Sequence, residues 1–203
     1  MRAVVVYESM YGNTHAVAQA IADGLGPPDQ VAVLPVDQAK GEVLRGADLV
    51  VVGGPTHAHG MSRAGTRKAA IDAAERPDSG LALDPAAGGS GLREWLSSLQ
   101  RVDSKAAAFD TRFRAPSIFT GRASKGIGRA LRRHGCELVA RPESFYVDKG
   151  NRLRAGEAQR ALAWGKSLAE GRRRSAEHVR PGGRSAQTGP SPRTSGRSET
   201  ETG

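Results

Sequence analysis

Short apolar runs and amphipathic helical patterns take turns along residues 1–170. "RAVVVY" (2–7) and "ADLVVVGG" (47–54) carry apolar stretches with no polar alternation. A strand that is apolar on both sides must be covered on both faces, which is the situation of a parallel sheet between helical layers. "QVAVLPV" (30–36), "KAAAFD" (105–110) and "CELVARPESFYV" (136–147) supply three more strand patterns. Helical patterns fall between and after them. "THAVAQAIADGL" (14–25) places Val17, Ala18, Ile21 and Leu25 on one face and stops at "GLGPP". "RAGTRKAAIDAAE" (63–75), "GLREWLSSL" (91–99), "SKGIGRALRRHG" (124–135) and "AGEAQRALAWGKSLAE" (155–170) follow. The pattern predicts an α/β fold: a three-layer, doubly wound, five-stranded parallel sheet with right-handed crossovers.

Chemistry in such a sheet belongs beyond the carboxyl ends of the strands, where the strand order reverses. Three segments follow strands there: "ESMYGNT" (8–14), "GGPTHAHGMS" (53–62) and "DTRFRAPSIFTGRA" (110–123). The first opens a helix, whose free backbone N–H groups and positive dipole end attract an anion. Ser9, Tyr11, Asn13 and Thr14 add side-chain donors, and Gly12 permits close backbone approach. The segment holds no Lys or Arg, unlike a GxxxxGK[ST] triphosphate clamp. A single phosphate held by neutral donors fits better. The plain alternative is that Asn13 only caps the helix.

"VVVYESMYGNT" resembles the phosphate-binding loop of the flavodoxin-like family, and "SMYG" is similar to the same stretch in its quinone-reductase branch. "GGPTHAHGM" resembles the second flavin loop of that branch. The likeness runs over about residues 2–170 and implies a flavodoxin-like strand order of 2-1-3-4-5. It implies FMN as cofactor, with Ser9, Met10, Tyr11, Gly12, Asn13 and Thr14 around the phosphate. Pro55, Thr56, His57, Ala58, His59 and Gly60 would border the ribityl chain and ring. The third segment adds Asp110, Thr111, Arg112 and Phe113, with Phe113 either a stacking face or a loop anchor. Met10 stands where flavodoxins usually carry a threonine, and "DTRFRAP" lacks the Gly-rich or acidic character common at its place.

The function this implies is electron transfer on bound FMN. Two alternatives stay open: an NAD(P)H-dependent quinone reductase, and a flavodoxin-like scaffold that no longer holds FMN. His57, His59, Arg63, Arg112, Arg114 and Arg122 outnumber Glu8 and Asp110 in or beside the three segments. A positive potential favours an anionic reduced flavin, so the potential should be less negative than in an acidic flavodoxin. The partner expected is a redox protein, and the positive charge would suit an acidic one.

Other signals are weaker. His57-Ala58-His59 has two imidazoles but no third ligand nearby, too few for a metal site. "TGRASKGIGRAL" (120–131) approaches a dinucleotide turn, but it does not follow the first strand and its spacing is one residue too long. Cys136 is the only cysteine, which excludes an internal disulfide and reads as a small buried residue. Trp95 and Trp164 sit on helical stripes and read as sheet-covering residues. No Ser-His-Asp or Cys-His arrangement suggests a nucleophile.

The formal charge is +9 over 203 residues. From Gly171 onward seven Arg stand against three Glu, so +4 of it lies in "GRRRSAEHVRPGGRSAQTGPSPRTSGRSETETG". That composition predicts a disordered tail over 171–203 after a domain of 1–170. No aromatics interleave with its arginines, which gives a nucleic-acid role no support. No apolar run approaches the roughly 18 residues that cross a bilayer, and no signal peptide is evident. The cytoplasm is the expected compartment.

Overall fold

The computed structural model describes residues 1–57, 60–115 and 121–178, with no side-chain detail at 173 and 175–178. In chain order the elements are β1 (Ala3–Tyr7), α1 (Asn13–Leu25), β2 (Val31–Pro35), a 3₁₀ turn (Val36–Gln38) and α2 (Gly41–Arg45). Next come β3 (Leu49–His57), β4 (Gly60–Met61), α3 (Ala64–Ala74) and α4 (Leu92–Ser98). The chain continues through β5 (Lys105–Phe113), α5 (Ala123–Arg133), β6 (Glu137–Leu138), β7 (Glu143–Val147) and α6 (Glu157–His178).

The sheet order is β2-β1-β3-β5-β6, with β7 also on β5 and the two-residue β4 paired antiparallel to the end of β3. All the other pairings are parallel. β6 pairs with the start of β5 (Lys105, Ala106) and β7 with its end (Phe109–Phe113). Together they fill one position, so the order is the expected 2-1-3-4-5. The run 136–147 is therefore one strand in sequence but two in structure. The break falls on 139–142, which contains Pro142 and its missing N–H. Arg160 of α6 holds the second piece in place, donating to Glu143 at 2.5 Å and to the Ser144 carbonyl.

Strand alternation divides the core. Val4, Val6, Val50, Val52, Ala106 and Ala108 face α4 and α5, packing on Leu92, Trp95, Leu96, Ile127 and Leu131. Val5, Tyr7, Val51, Ala107 and Phe109 face α1 and α6, packing on Val17, Ile21, Leu25, Ala161 and Leu168. Each Val, Leu or Ile side chain among them contributes about 1.5–3 kcal/mol when removed from water. Glycines set two close approaches. A Cβ at Gly53 would fall 2.1 Å from the Phe109 ring, and one at Gly165 would fall 2.2 Å from the Ile21 carbonyl. The first lets an aromatic ring lie on the strand backbone; the second lets α1 and α6 cross backbone to backbone.

Trp95 and Trp164 cover the sheet as expected. Trp95 donates its indole N–H to the Ala39 carbonyl, and Trp164 meets Phe109 and Phe145 edge-on. Cys136 is buried, and that burial raises its thiol pKa. The last helix runs past Gly171 to His178, so the boundary expected at 170 lies inside a helix. Residues 179–203 of the predicted tail lie outside the described residues.

Candidate functional site

A cavity of about 170 Å³ opens at the carboxyl ends of β1, β3, β5 and β7. Its walls come from Ser9, Met10, Tyr11, Asn13 and Thr14, from Pro55, Thr56 and His57, and from Thr111, Arg112 and Phe113. Val147 and Asn151 complete it. The three segments singled out in the sequence thus converge on one space. A larger depression, about 650 Å³, lies along α2 and α4. It contains none of the buried, unpartnered polar atoms found in the described structure, whereas His57 Nε2 and Arg112 Nε belong to residues lining the smaller cavity.

The first segment is a tight turn locked by its own side chains. Gly12 has φ +81°, a left-handed conformation that favours glycine, and a Cβ there would meet nothing within 4 Å. Conformation rather than crowding requires this glycine. Its N–H donates to Ser9 Oγ at 3.1 Å. The Tyr11 hydroxyl, counted in sequence as a donor for an anion, donates instead to the Ala70 carbonyl at 2.9 Å. Met10 is 2 % exposed and packs with Ala70, Ala87, Tyr11 and Ile71. Its carbonyl accepts the Asp84 N–H at 2.8 Å, so the loop between α3 and α4 straps the turn down.

Enough donors remain for one phosphate. Thr14 Oγ1 and Thr111 Oγ1 lie 2.7 Å apart, and two hydroxyls in mutual contact use one of their two protons. Ser9 Oγ accepts from Gly12 and keeps its own proton. Asn13 Nδ2 donates to the Asn151 carbonyl at 2.7 Å, which uses one of its two N–H bonds. The backbone N–H groups of Met10, Tyr11, Asn13 and Thr14 bond to no described group. A helix N-terminus with free N–H groups and hydroxyls, and no lysine, suits a phosphate monoester. The residues present therefore fit the phosphate end of FMN.

The second and third segments begin as continuations of their strands. β3 continues through His57 and pairs it with Gly60, while β5 continues to Phe113 because β7 extends the ladder beside it. Pro55, Thr56 and His57 line the cavity; Gly60 does not. Thr56 Oγ1 accepts the Ala123 N–H at 3.0 Å, joining β3 to the start of α5. Burial lowers the His57 pKa, with Arg67 also lowering it and Glu8 opposing, so the ring is neutral at pH 7. Ala58 and His59 lie outside the described residues, as do residues 116–120. Among the described residues no group of three or more His, Cys, Asp or Glu could hold a metal.

Asp110 turns away from the cavity. It is fully buried and accepts the Ser124 N–H at 2.7 Å, at the N-terminus of α5. Alternation turns Thr111 toward Thr14 and Asp110 toward α5; Arg112 shares the Asp110 side and still lines the cavity, so it is the bond to the Ser124 N–H that keeps Asp110 from the expected site. Glu8 is also buried and committed elsewhere, accepting from Ser62 Oγ at 2.7 Å and from the Leu92 N–H at 2.6 Å. Arg112 is 7 % exposed and donates to the carbonyls of Gly121 and Ala115. Phe113, at 49 % exposure, presents its ring at the mouth.

Val147 and Asn151 were not anticipated. They come from the end of β7 and the turn after it, where Asn151 adopts φ +56°. An Asn in "DKGNR" marks a turn; only strand order brings that turn next to residue 13.

Among the described residues no helix is long and apolar enough to cross a membrane. None of the curated proteins matches the sequence. Solved structures with the same fold include a flavodoxin from the domain Archaea, 21 % identical, covering 85 % of this chain and 99 % of its own, with a TM-score of 0.58. Flavodoxin 1 from Bacillus cereus is 18 % identical over 84 % of this chain and 98 % of its own, TM-score 0.57. A flavodoxin, WrbA-like protein from Agrobacterium tumefaciens is 20 % identical over 85 % and 98 %, TM-score 0.53. At such identities these establish the fold. The sequence profile of the flavodoxin family matches residues 5–106, half of the chain and both of its first two site segments, and the chain belongs to that family.

Proposed function

We propose that the protein binds FMN and works as an electron carrier. One observation carries this reading: the cavity places a lysine-free helix N-terminus with unused donors opposite an exposed aromatic ring. Met10, Tyr11, Asn13 and Thr14 would hold the phosphate through backbone N–H groups. Ser9 and the Thr14–Thr111 pair would add hydroxyl donors. Pro55, Thr56 and His57 would border the rest of the cofactor, and Phe113 would cover it from the mouth. Bound FMN supplies the electron chemistry. The protein fixes its position, limits water access and sets the surrounding charge.

Titration of the purified protein with FMN, followed by flavin fluorescence, tests the reading. Binding at micromolar or tighter affinity is expected, with riboflavin much weaker because it lacks the phosphate. A colourless protein that leaves FMN fluorescence unchanged would instead favour a scaffold without cofactor.

The surface around the mouth supports an acidic redox partner. Arg63, Arg114, Lys149, Arg152 and Arg154 are exposed in the segments that surround it. The acid in that last turn, Asp148, pairs with Arg152 at 3.5 Å. Complementary charge steers such encounters.

A further inference from the structure

We propose that the buried guanidinium of Arg112, a residue that lines the cofactor cavity, tunes this site toward the reduced flavin through its full positive charge. The proposal rests on the FMN reading and names the residue that sets the electrostatics of that site.

Arg112 occupies an unusual position for a cation. It is 7 % exposed, and no carboxylate among the described residues forms an ion pair with it. Its Nη1 donates to the Gly121 carbonyl at 2.7 Å and its Nη2 to the Ala115 carbonyl at 2.5 Å, while Nε has no partner. The Tyr146 ring lies 5.7 Å from the guanidinium carbon. Carbonyl dipoles and a ring face thus share the task a counter-ion would perform. Burying an unpaired charge is costly. Gathering the two ends of a loop needs only N–H donors, so the clasp alone does not require the charge.

The cavity it lines explains what the charge can act on. Among the described lining residues none is Asp or Glu, and Arg112 is the only Arg or Lys. Of the other described charges expected to matter, Arg63 and Arg114 are exposed, where solvent and salt screen them, and the rest are committed elsewhere or neutral. Glu8 serves Ser62 and Leu92, and Asp110 serves Ser124. Arg122 donates to Ser144 Oγ and the Pro142 carbonyl. His57 lines the cavity as a neutral ring.

Two electrons from a reductant such as dithionite and one proton from water convert a neutral oxidised flavin ring into a reduced ring of charge −1. The charge of Arg112 is the same before and after. Its interaction energy therefore favours the reduced state, and the burial of Arg112 strengthens that preference. A purely structural clasp would help oxidised and reduced FMN equally.

The test compares dissociation constants of oxidised FMN and of dithionite-reduced FMN, under anaerobic conditions, for the wild type, Arg112→Gln and Arg112→Lys. Arg112→Gln should lose at least tenfold more affinity for reduced than for oxidised FMN. That is a drop of about 30 mV in the two-electron potential for each tenfold. Arg112→Lys should keep most of the wild-type ratio. Equal losses for both redox states overturn the proposal and leave Arg112 a loop clasp. Should the glutamine variant fail to fold, the wild type decides. Its bound two-electron couple should lie at or above that of free FMN, and a couple well below it overturns the idea. A wild type that binds neither form sinks the FMN reading itself, a separate outcome.

Discussion

Thr14 and Thr111 touch through their hydroxyls at 2.7 Å, although 97 positions separate them in the chain. The contact joins the first turn of α1 to the end of β5 and is buried on both sides. It fixes the turn over 8–14 against the sheet and leaves one proton to donate. Each Thr→Val change should weaken FMN binding by about tenfold, the worth of one hydrogen bond to a charged group. The double variant should lose less than the sum, because either change already ends the shared arrangement. Strict additivity in fluorescence titrations would mean the two hydroxyls act separately.

Met10 replaces a hydroxyl, yet the structure gives it another task. Its side chain fills the small cluster with Ala70 and Ala87 under the strap. Met10→Thr should cost about 2 kcal/mol in urea denaturation, through lost packing and a hydroxyl placed in an apolar contact. FMN affinity should not improve. Tighter FMN binding at unchanged stability would show that position 10 simply lacks a phosphate donor.

His57 links stability to pH. Burial lowers its folded-state pKa below the ordinary 6.5. As pH falls through about 6.5, the unfolded chain takes up the proton first. Stability therefore decreases below that pH and levels off once the folded-state pKa is passed. His57→Asn should flatten this part of the profile, with the contributions of the other histidines unchanged. Urea midpoints at pH 7.5, 6.5 and 5.5 for both proteins measure it; parallel profiles would contradict a neutral, half-buried ring.

The crossing of α1 and α6 depends on two glycines. A Cβ at Gly24 would lie 2.1 Å from the Leu162 carbonyl, as one at Gly165 would clash with Ile21. Gly165→Ala should destabilise by about 1–3 kcal/mol or more, since the obstacle is backbone. Gly171→Ala in the same helix provides the contrast. A Cβ there meets nothing within 4 Å, so the change should stabilise by up to about 1 kcal/mol. Thermal or urea unfolding of the two variants should shift in opposite directions.

The basic mouth predicts a salt-dependent encounter. Association with an acidic [2Fe–2S] ferredoxin should slow as ionic strength rises, and Arg114→Glu with Lys149→Glu should slow it further at low salt. A basic cytochrome c should show the opposite trend. Replacing Arg184, Arg193 and Arg197 of the tail by Ser separates its charge from that of the mouth. Rates indifferent to salt would remove the case for an acidic partner.

Much of this protein is written locally. The three-valine runs determine strands buried on both faces, and the spacing of Val17, Ile21 and Leu25 determines a helix with one apolar side. Both follow from short-range geometry, because side-chain direction repeats every two residues in a strand and every 3.6 in a helix. "ESMYGNT" likewise carries its left-handed glycine and its serine–glycine bond within four residues. Side-chain commitments across the sheet were not legible. Tyr11 gives its hydroxyl to Ala70, Asp110 serves the start of α5, and Asn151 enters the site from a remote turn. Those outcomes depend on which strands lie side by side and in what register. The extension of β5 as far as Phe113 is decided by β7, and with it the direction in which Arg112 points. The sequence alone determined that a turn rich in hydroxyl and amide donors opens the first helix. Tertiary packing decided which of its donors stay free, because a polar group buried in the fold must first satisfy its neighbours.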